Sequence, residues 1–297
     1  RLYLLGHDRL RTLERRHPLG LMDAVFASHE IGADERRELQ ARRDAPGLAR
    51  LGAQLGTWLA AALGLVVLAA GSPAWWLALL GVGVMQAGMF ACMHECGHMS
   101  AFARRRLNTL GLIAGAILML NSWTAFRHFH FEHHRHTHVE GDPELFRRSL
   151  EFAGWPTNPI AWLVIMSGQP LLLGKLAVLL ATAIARPARW WQTWMPFVPA
   201  AERARVGWES RLILALVVGL ALLGAFVAPG FAWLLLGWPL AHLVLGPLLS
   251  AEHTGLASEG DVLARTRSIA TIAPIRWLLW NMPYHAEHHG WPAVPFH

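Results

Sequence analysis

Residues 74–98 read AWWLALLGVGVMQAGMFACMHECGH: positions 74–93 hold no charge and one polar residue, Gln86, and run directly into His94-Glu95-Cys96-Gly97-His98. About 20 apolar residues is the length at which an α-helix crosses the hydrocarbon core of a bilayer. A helix that continues past that core sets His94 and His98, four apart, on one face. One stretch therefore predicts both a membrane helix and a pair of imidazoles at its exit.

The same two signals recur outward from this stretch. Residues 51–71 form a second apolar run, joined to the first by Gly71-Ser72-Pro73, and residues 212–228 and 231–249 form another pair around Pro229-Gly230. Hydrophobic residues make up 54% of the 297 and charged residues 15%, a balance that argues against a soluble fold. Both short connectors lack charge, while every Arg and the single Lys, Lys175, lie elsewhere. The positive-inside rule then puts both termini and the long middle region in the cytoplasm. Trp58, Trp75, Trp76, Trp208 and Trp233 fall near span ends, where amphipathic rings prefer the interface. Two more apolar stretches, 110–120 and 159–185, are read as interfacial or re-entrant, because if both crossed the second histidine cluster would lie on the far side from the first, and if only one crossed the first and third would be separated. The expectation is an all-α integral membrane protein of one domain. A cytoplasmic arm, 1–50, precedes two transmembrane hairpins with spans 51–71, 74–93, 212–228 and 231–249, and a cytoplasmic helical cap is built from 94–211 and 250–297.

Two further clusters repeat the first: His130-Phe131-Glu132-His133-His134 and His285-Ala286-Glu287-His288-His289. Eight imidazoles exceed the roughly four that one zinc ion takes, so the count suits two metal ions. His253 follows the last span at the depth of His94 and is a ninth candidate. Glu95, Glu132, Glu252 and Glu287 each neighbour a candidate histidine, and with Asp142 and Asn281 they are candidate outer partners that orient ligand rings. Imidazole donors alone admit Fe, Zn, Cu or Ni. Two ions, neutral donors and a lipid-facing position favour iron working with dioxygen on an apolar substrate. His7, His17, His29 and His297 read as ordinary surface residues. His242 lies inside a span, and His128, His136 and His138 crowd the second cluster. Cys92 and Cys96 read as small buried hydrophobes, and two cysteines make neither a disulfide framework nor a cluster-binding set.

One rival uses the same residues: His94-Glu95-x-x-His98 fits the pattern of a membrane zinc metalloprotease, with Glu95 as general base. Such an enzyme has no use for two additional three-histidine clusters. A metal transporter would string its ligands along a path inside the spans rather than gather them at one face.

Taken together the three clusters resemble the histidine boxes of the membrane fatty-acid desaturase and hydroxylase superfamily. Ser100-Ala101-Phe102 after the first box, Phe126-Arg127 before the second, Thr137 and Asp142-Pro143 after it, and Asn281-Met282-Pro283-Tyr284 before the third are similar to that family's surroundings. The resemblance covers roughly residues 50–297. It implies that His94, His98, His130, His133, His134, His253, His285, His288 and His289 hold two non-haem iron ions, with His138 a possible tenth donor. It implies O2 as co-substrate, a long acyl or alkyl chain as substrate, and electrons from a separate ferredoxin-type donor. Desaturation is the expected reaction. Hydroxylation or terminal-alkene formation on an alkyl, carotenoid or sphingolipid chain is the alternative. The implied location is the bacterial inner membrane, with the metal site on its cytoplasmic side.

Overall fold

The computed structural model describes residues 32–144, 158–256 and 258–297, which fall into two compact units, Arg1–Ala41 and Arg42–His297. His7, His17, His29 and most of the arm lie outside the described residues. In the first unit the described helix is α1, Ala33–Leu39, with acidic residues in its first turn and basic ones in its last, as the helix dipole favours.

The second unit is helical, with no strand among the described residues. Its elements are α2 (Asp44–Val67), α3 (Pro73–Gly97), α4 (Arg105–Leu118), α5 (Trp123–His136), α6 (Pro159–Met166), α7 (Gln169–Ala183) and α8 (Ala188–Trp194). They continue as α9 (Arg203–Phe226), α10 (Gly230–Trp233), α11 (Gly237–Ala251), α12 (Ala273–Leu278) and α13 (His285–Gly290). Among the described residues, four helical segments are long and apolar enough to cross a membrane, ending at Val67, Gly97, Phe226 and Ala251. They sit where the hydropathy placed spans, but α2 and α9 start earlier, at Asp44 and Arg203, because hydropathy marks where lipid begins and not where the helix begins. The last of the four is interrupted by a 3-10 turn, Leu234–Leu236. At 25 residues and about 1.5 Å per residue, α3 outruns a hydrocarbon core of about 30 Å, so its final turn projects beyond it.

α3 is the central helix, packed against α2, α4 and α11. Close approach is secured by glycine: a Cβ at Gly88 would lie 1.9 Å from Gln54 Nε2, and one at Gly115 would lie 2.7 Å from the Met89 carbonyl oxygen. Small residues at helix contacts are the usual way membrane helices maximise packing. On the outer faces Leu59, Leu63 and Val67 of α2 and Leu222 and Phe226 of α9 are exposed, as a lipid-facing surface requires. The glutamines buried inside the bundle are paired. Gln54 donates to the Leu278 carbonyl at 2.7 Å and accepts from Trp280 Nε1 at 2.7 Å, which ties α2 to the segment before α13.

The two shorter apolar stretches form bent pairs, α4 with α5 at 99° and α6 with α7 at 56°. The first break is sealed at both ends. Gln86 Nε2 donates to the Leu118 carbonyl at 2.9 Å, and Lys175 Nζ to the Met119 carbonyl at 3.3 Å. Opposite them the buried Glu209 carboxylate of α9 accepts from Thr124 N at 3.0 Å, Thr124 Oγ1 at 2.6 Å and Ser122 Oγ at 2.6 Å. A cation at a helix C-terminus and an anion at the next N-terminus both complement the helix dipoles. In the second break Gly168, at φ 70°, presses against the His242 backbone, where a Cβ would lie 2.1 Å from the carbonyl oxygen. Among the described residues, five non-glycine residues also adopt left-handed backbone: Met99, Leu120, His138, Trp280 and Asn281. Four of them turn the chain immediately after the first and second histidine clusters or shortly before the third.

Candidate metal centre

Four parts of the chain converge beyond the end of α3. His94 sits in its last turn and His98 caps it. α5 carries His130, His133 and His134, and α13 carries His285, His288 and His289. His253 lies two residues past α11. The nine rings fall into two groups, His94, His98, His130, His134 and His288 in one and His133, His253, His285 and His289 in the other; within each, one nitrogen per residue lies within 4.8 Å of all the rest. The groups adjoin, with the rings of His134 and His289 stacked at 4.1 Å. α5 serves both, because His133 points about 100° away from its neighbour along the helix.

The outer contacts show which nitrogen faces inward. His253 Nδ1 meets the Arg265 carbonyl at 3.1 Å, so Nδ1 carries the proton. His133 Nδ1 meets Asp142 Oδ1 at 3.0 Å, again an acceptor. His289 Nδ1 meets Thr137 Oγ1 at 3.1 Å, and Thr137 spends its own proton on the His133 carbonyl at 2.8 Å. Each of these imidazoles, when neutral, therefore turns a bare Nε2 lone pair inward. His285 Nε2 nevertheless lies 2.9 Å from His253 Nε2. In the first group His98 and His130 Nε2 are 2.6 Å apart, and His288 and His98 Nε2 are 3.1 Å apart. Nε2 of His94 and of His289 are buried with no hydrogen-bond partner.

Protonation does not resolve these approaches. Burial first, and neighbouring imidazoles second, hold His285, His288 and His289 well below the ordinary histidine range. Neutral nitrogens with lone pairs aimed at one point are a metal donor set. An ion bound at about 2.1 Å by each of two neighbouring donors at right angles sets them about 3.0 Å apart, the spacing seen here. The residues present fit two metal ions.

Carboxylates complete part of this surround. Glu95 Oε1 lies 3.4 Å from His94 Nδ1 and 3.8 Å from His288 Nδ1, while Oε2 takes the Ser100 hydroxyl at 3.2 Å. Glu252 Oε1 lies 3.7 Å from His285 Nδ1. The other three sequence candidates are not brought to an imidazole of either group. Glu132 faces Arg135 and His136, Glu287 accepts from Ser268, and Asn281 donates to the Phe296 carbonyl at 2.7 Å. His138 is buried with its ring 6.2 Å from that of His253, outside both groups, and its backbone N donates to Asp142 Oδ2. His128 faces Glu202, and His242 Nδ1 faces the Trp238 carbonyl within α11. Cys92 and Cys96 are buried beside Gly111, in the packing role their sequence context suggests. Sequence reasoning did not single out Thr137 as a ring partner, nor the Arg265 carbonyl. A polar residue one turn past a histidine cluster is a usable signal for the first, and a backbone acceptor leaves none.

The fold and the paired histidine groups define a membrane-type helical protein with a histidine-rich site that could hold metal. The fatty acid desaturase family matches residues 70–297, and the chain belongs to that family. It is similar to the sphingolipid delta(4)-desaturase/C4-monooxygenase DES2 of Rattus norvegicus, 24% identical over 215 residues, covering 68% of this chain and 56% of the rat protein. It is similar also to the sphingolipid delta(4)-desaturase DES1-like protein of Oryza sativa, 23% identical over 220 residues (70% of this chain, 56% of the relative). With the Drosophila melanogaster sphingolipid delta(4)-desaturase DES1 it shares 38% over 66 residues, 20% of this chain and 21% of that one. The chain thus spans about half the length, 56%, of the first and second of these relatives.

Proposed function

We propose that this chain is an oxygen-dependent oxidoreductase that holds two non-haem iron ions and acts on an unactivated C–H bond of a long lipid chain, with desaturation as its outcome. The observation that carries this reading is the set of nine inward-facing imidazoles in two adjoining groups at the end of membrane-length helices. His94, His98, His130, His134 and His288 would hold one ion, and His133, His253, His285 and His289 the other. Bound there, two irons supply the reduction of dioxygen and the oxidising power that an unactivated C–H bond demands. The chain's own part is to orient and to exclude. Asp142, Thr137 and the Arg265 carbonyl fix three ring tautomers, and Glu95 and Glu252 lie against three more Nδ1 atoms. Phe90 and Phe126 pack beside the first group and keep that side apolar.

Glu95 speaks against the hydrolytic alternative. Its carboxylate lies on the outer nitrogens of His94 and His288, not on the inner side where a general base would meet water. A second reading, hydroxylation of the same chain, is favoured by the double name of the rat relative. Because the relatives are named for sphingolipids, a sphingoid chain is the first substrate to test beside phospholipid acyl chains. Electrons come from a separate ferredoxin-type donor, for which the exposed Arg104, Arg105, Arg106 and Arg267 offer an electrostatic landing face. The charge asymmetry supports the metal groups lying on the cytoplasmic side of the membrane, for which a bacterial inner membrane is the proposed location.

The test is metal content of the detergent-purified protein, followed by lipid product analysis with a reductant supplied. About two irons per chain and oxygen-dependent product are expected. One zinc, with no oxygen-dependent turnover after iron reconstitution, would refute the proposal.

A further inference from the structure

Glu209 is fully buried in α9, yet it lies in neither histidine group. Among the described residues its cation is Arg205, whose side chain is 60% exposed and reaches Oε1 at 3.0 Å. A carboxylate buried this way in a membrane-type helix is poorly rewarded as an ion pair. Its remaining hydrogen bonds among the described residues are to the first turn of α5. Oε2 takes Ser122 Oγ and Thr124 N, and Oε1 takes Thr124 Oγ1. Both oxygens are engaged, so the first turn of α5 is held in rotation about its axis as well as in position.

Rotation is what this helix must control. His130 and His134 belong to one group and His133 to the other. The imidazole nitrogens stand about 6 Å from the helix axis, so a twist of about 20° displaces each by about 2 Å, the length of a metal–nitrogen bond. Thr124 is six residues, or about 9 Å, from His130, a short lever. We infer that Glu209 is a positioning residue for the metal centre, a bidentate clamp that sets the angular register of α5 so that its three histidines divide correctly between two ions. The inference rests on the two-ion reading proposed above.

The experiment compares Glu209→Ala and Glu209→Gln with the unaltered chain in detergent. Elemental analysis gives metal content, and exchange-coupled EPR or Mössbauer spectra report whether both groups are filled as neighbours. Circular dichroism and elution volume report the fold. Glutamine keeps both contact points, because the Thr124 hydroxyl can turn to accept from the amide. Glu209→Ala is expected to stay helical and lose most of its coupled signal, and Glu209→Gln to regain it. A coupled spectrum unchanged in Glu209→Ala would overturn the inference, as would equal loss of fold in both variants. Should only Glu209→Ala fail to fold, Thr124→Val decides: a reduced coupled fraction supports the clamp and an unaltered one overturns it. If the unaltered chain itself takes up fewer than two ions, the two-ion reading fails separately. The clamp is then read from amide exchange across residues 123–136 of the metal-free protein. Glu209→Ala should raise that exchange about tenfold, the worth of one charge-assisted hydrogen bond, and an unchanged pattern would overturn it.

Discussion

Replacing Asp142 with Asn tests the division of the histidines into two groups. Asp142 Oδ1 accepts from His133 Nδ1 at 3.0 Å and from Glu144 N at 2.8 Å, and Oδ2 accepts from His138 N at 2.7 Å. The substitution removes the charge that strengthens the His133 imidazole as a donor. Whichever way the amide is turned, its NH2 faces one of two backbone N–H groups, and a buried donor left without an acceptor costs about 1–3 kcal/mol. Loss of such an outer carboxylate weakens metal binding roughly 10- to 100-fold, or about 1.4–2.7 kcal/mol. The effect should fall on the group of His133, His253, His285 and His289, because the ring that Asp142 holds, His133, belongs to it. Titrating the iron-loaded protein with a chelator and counting ions retained should show one ion released at about 10- to 100-fold lower chelator than in the unaltered chain, and the second released where it was before. Simultaneous release of both, or an unshifted curve, would refute the grouping.

Three further outcomes follow from the same contacts. Thr137→Val removes the acceptor of His289 Nδ1 and should lower iron retention at that group by about tenfold in the same titration, leaving the fold intact by circular dichroism. Gly88→Ala drives a methyl into Gln54 and the Leu278 carbonyl and should destabilise the protein by about 1–3 kcal/mol, read as a lowered thermal midpoint. The metal-free protein should be less stable in acid. His285, His288 and His289 have folded pKa values below the unfolded 6.5, so their contribution is present above that pH and is lost as pH falls below it, because only the unfolded chain binds the protons. Thermal midpoints between pH 7.5 and 5 on chelator-treated samples check this, and a midpoint that rises with acid would contradict it.

Much of the centre was legible because its determinants are local. Apolar runs that end in i, i+3 and i, i+4 histidines announce both the spans and the donors, and all nine candidates arrive in the two groups. Adjacency was a poorer guide to the outer partners. Glu95 and Glu132 each stand beside a histidine of a group, yet Glu95 turns to the outer nitrogens of His94 and His288 while Glu132 turns to His136, one helical turn on. Which side a carboxylate faces depends on what packs against its helix, and that is set from elsewhere in the chain. The same holds for Gln54, Gln86 and Glu209, whose partners lie 224, 32 and 85 residues away. The break in the last span was also hidden, since Leu234–Leu236 is as apolar as the helix it interrupts.

The left-handed turns at Met99, His138, Trp280 and Asn281 bear on the entropy of metal capture. Each such residue costs about 1–2 kcal/mol relative to ordinary helical backbone, and the fold meets that cost whether or not an ion is present. The chain is thereby reversed just after two of the histidine segments and just before the third, and the rings are gathered during folding instead of during binding. An ion arriving at such a centre has little disorder left to remove, so its uptake should be limited by access through the surrounding helices and not by rearrangement of the protein.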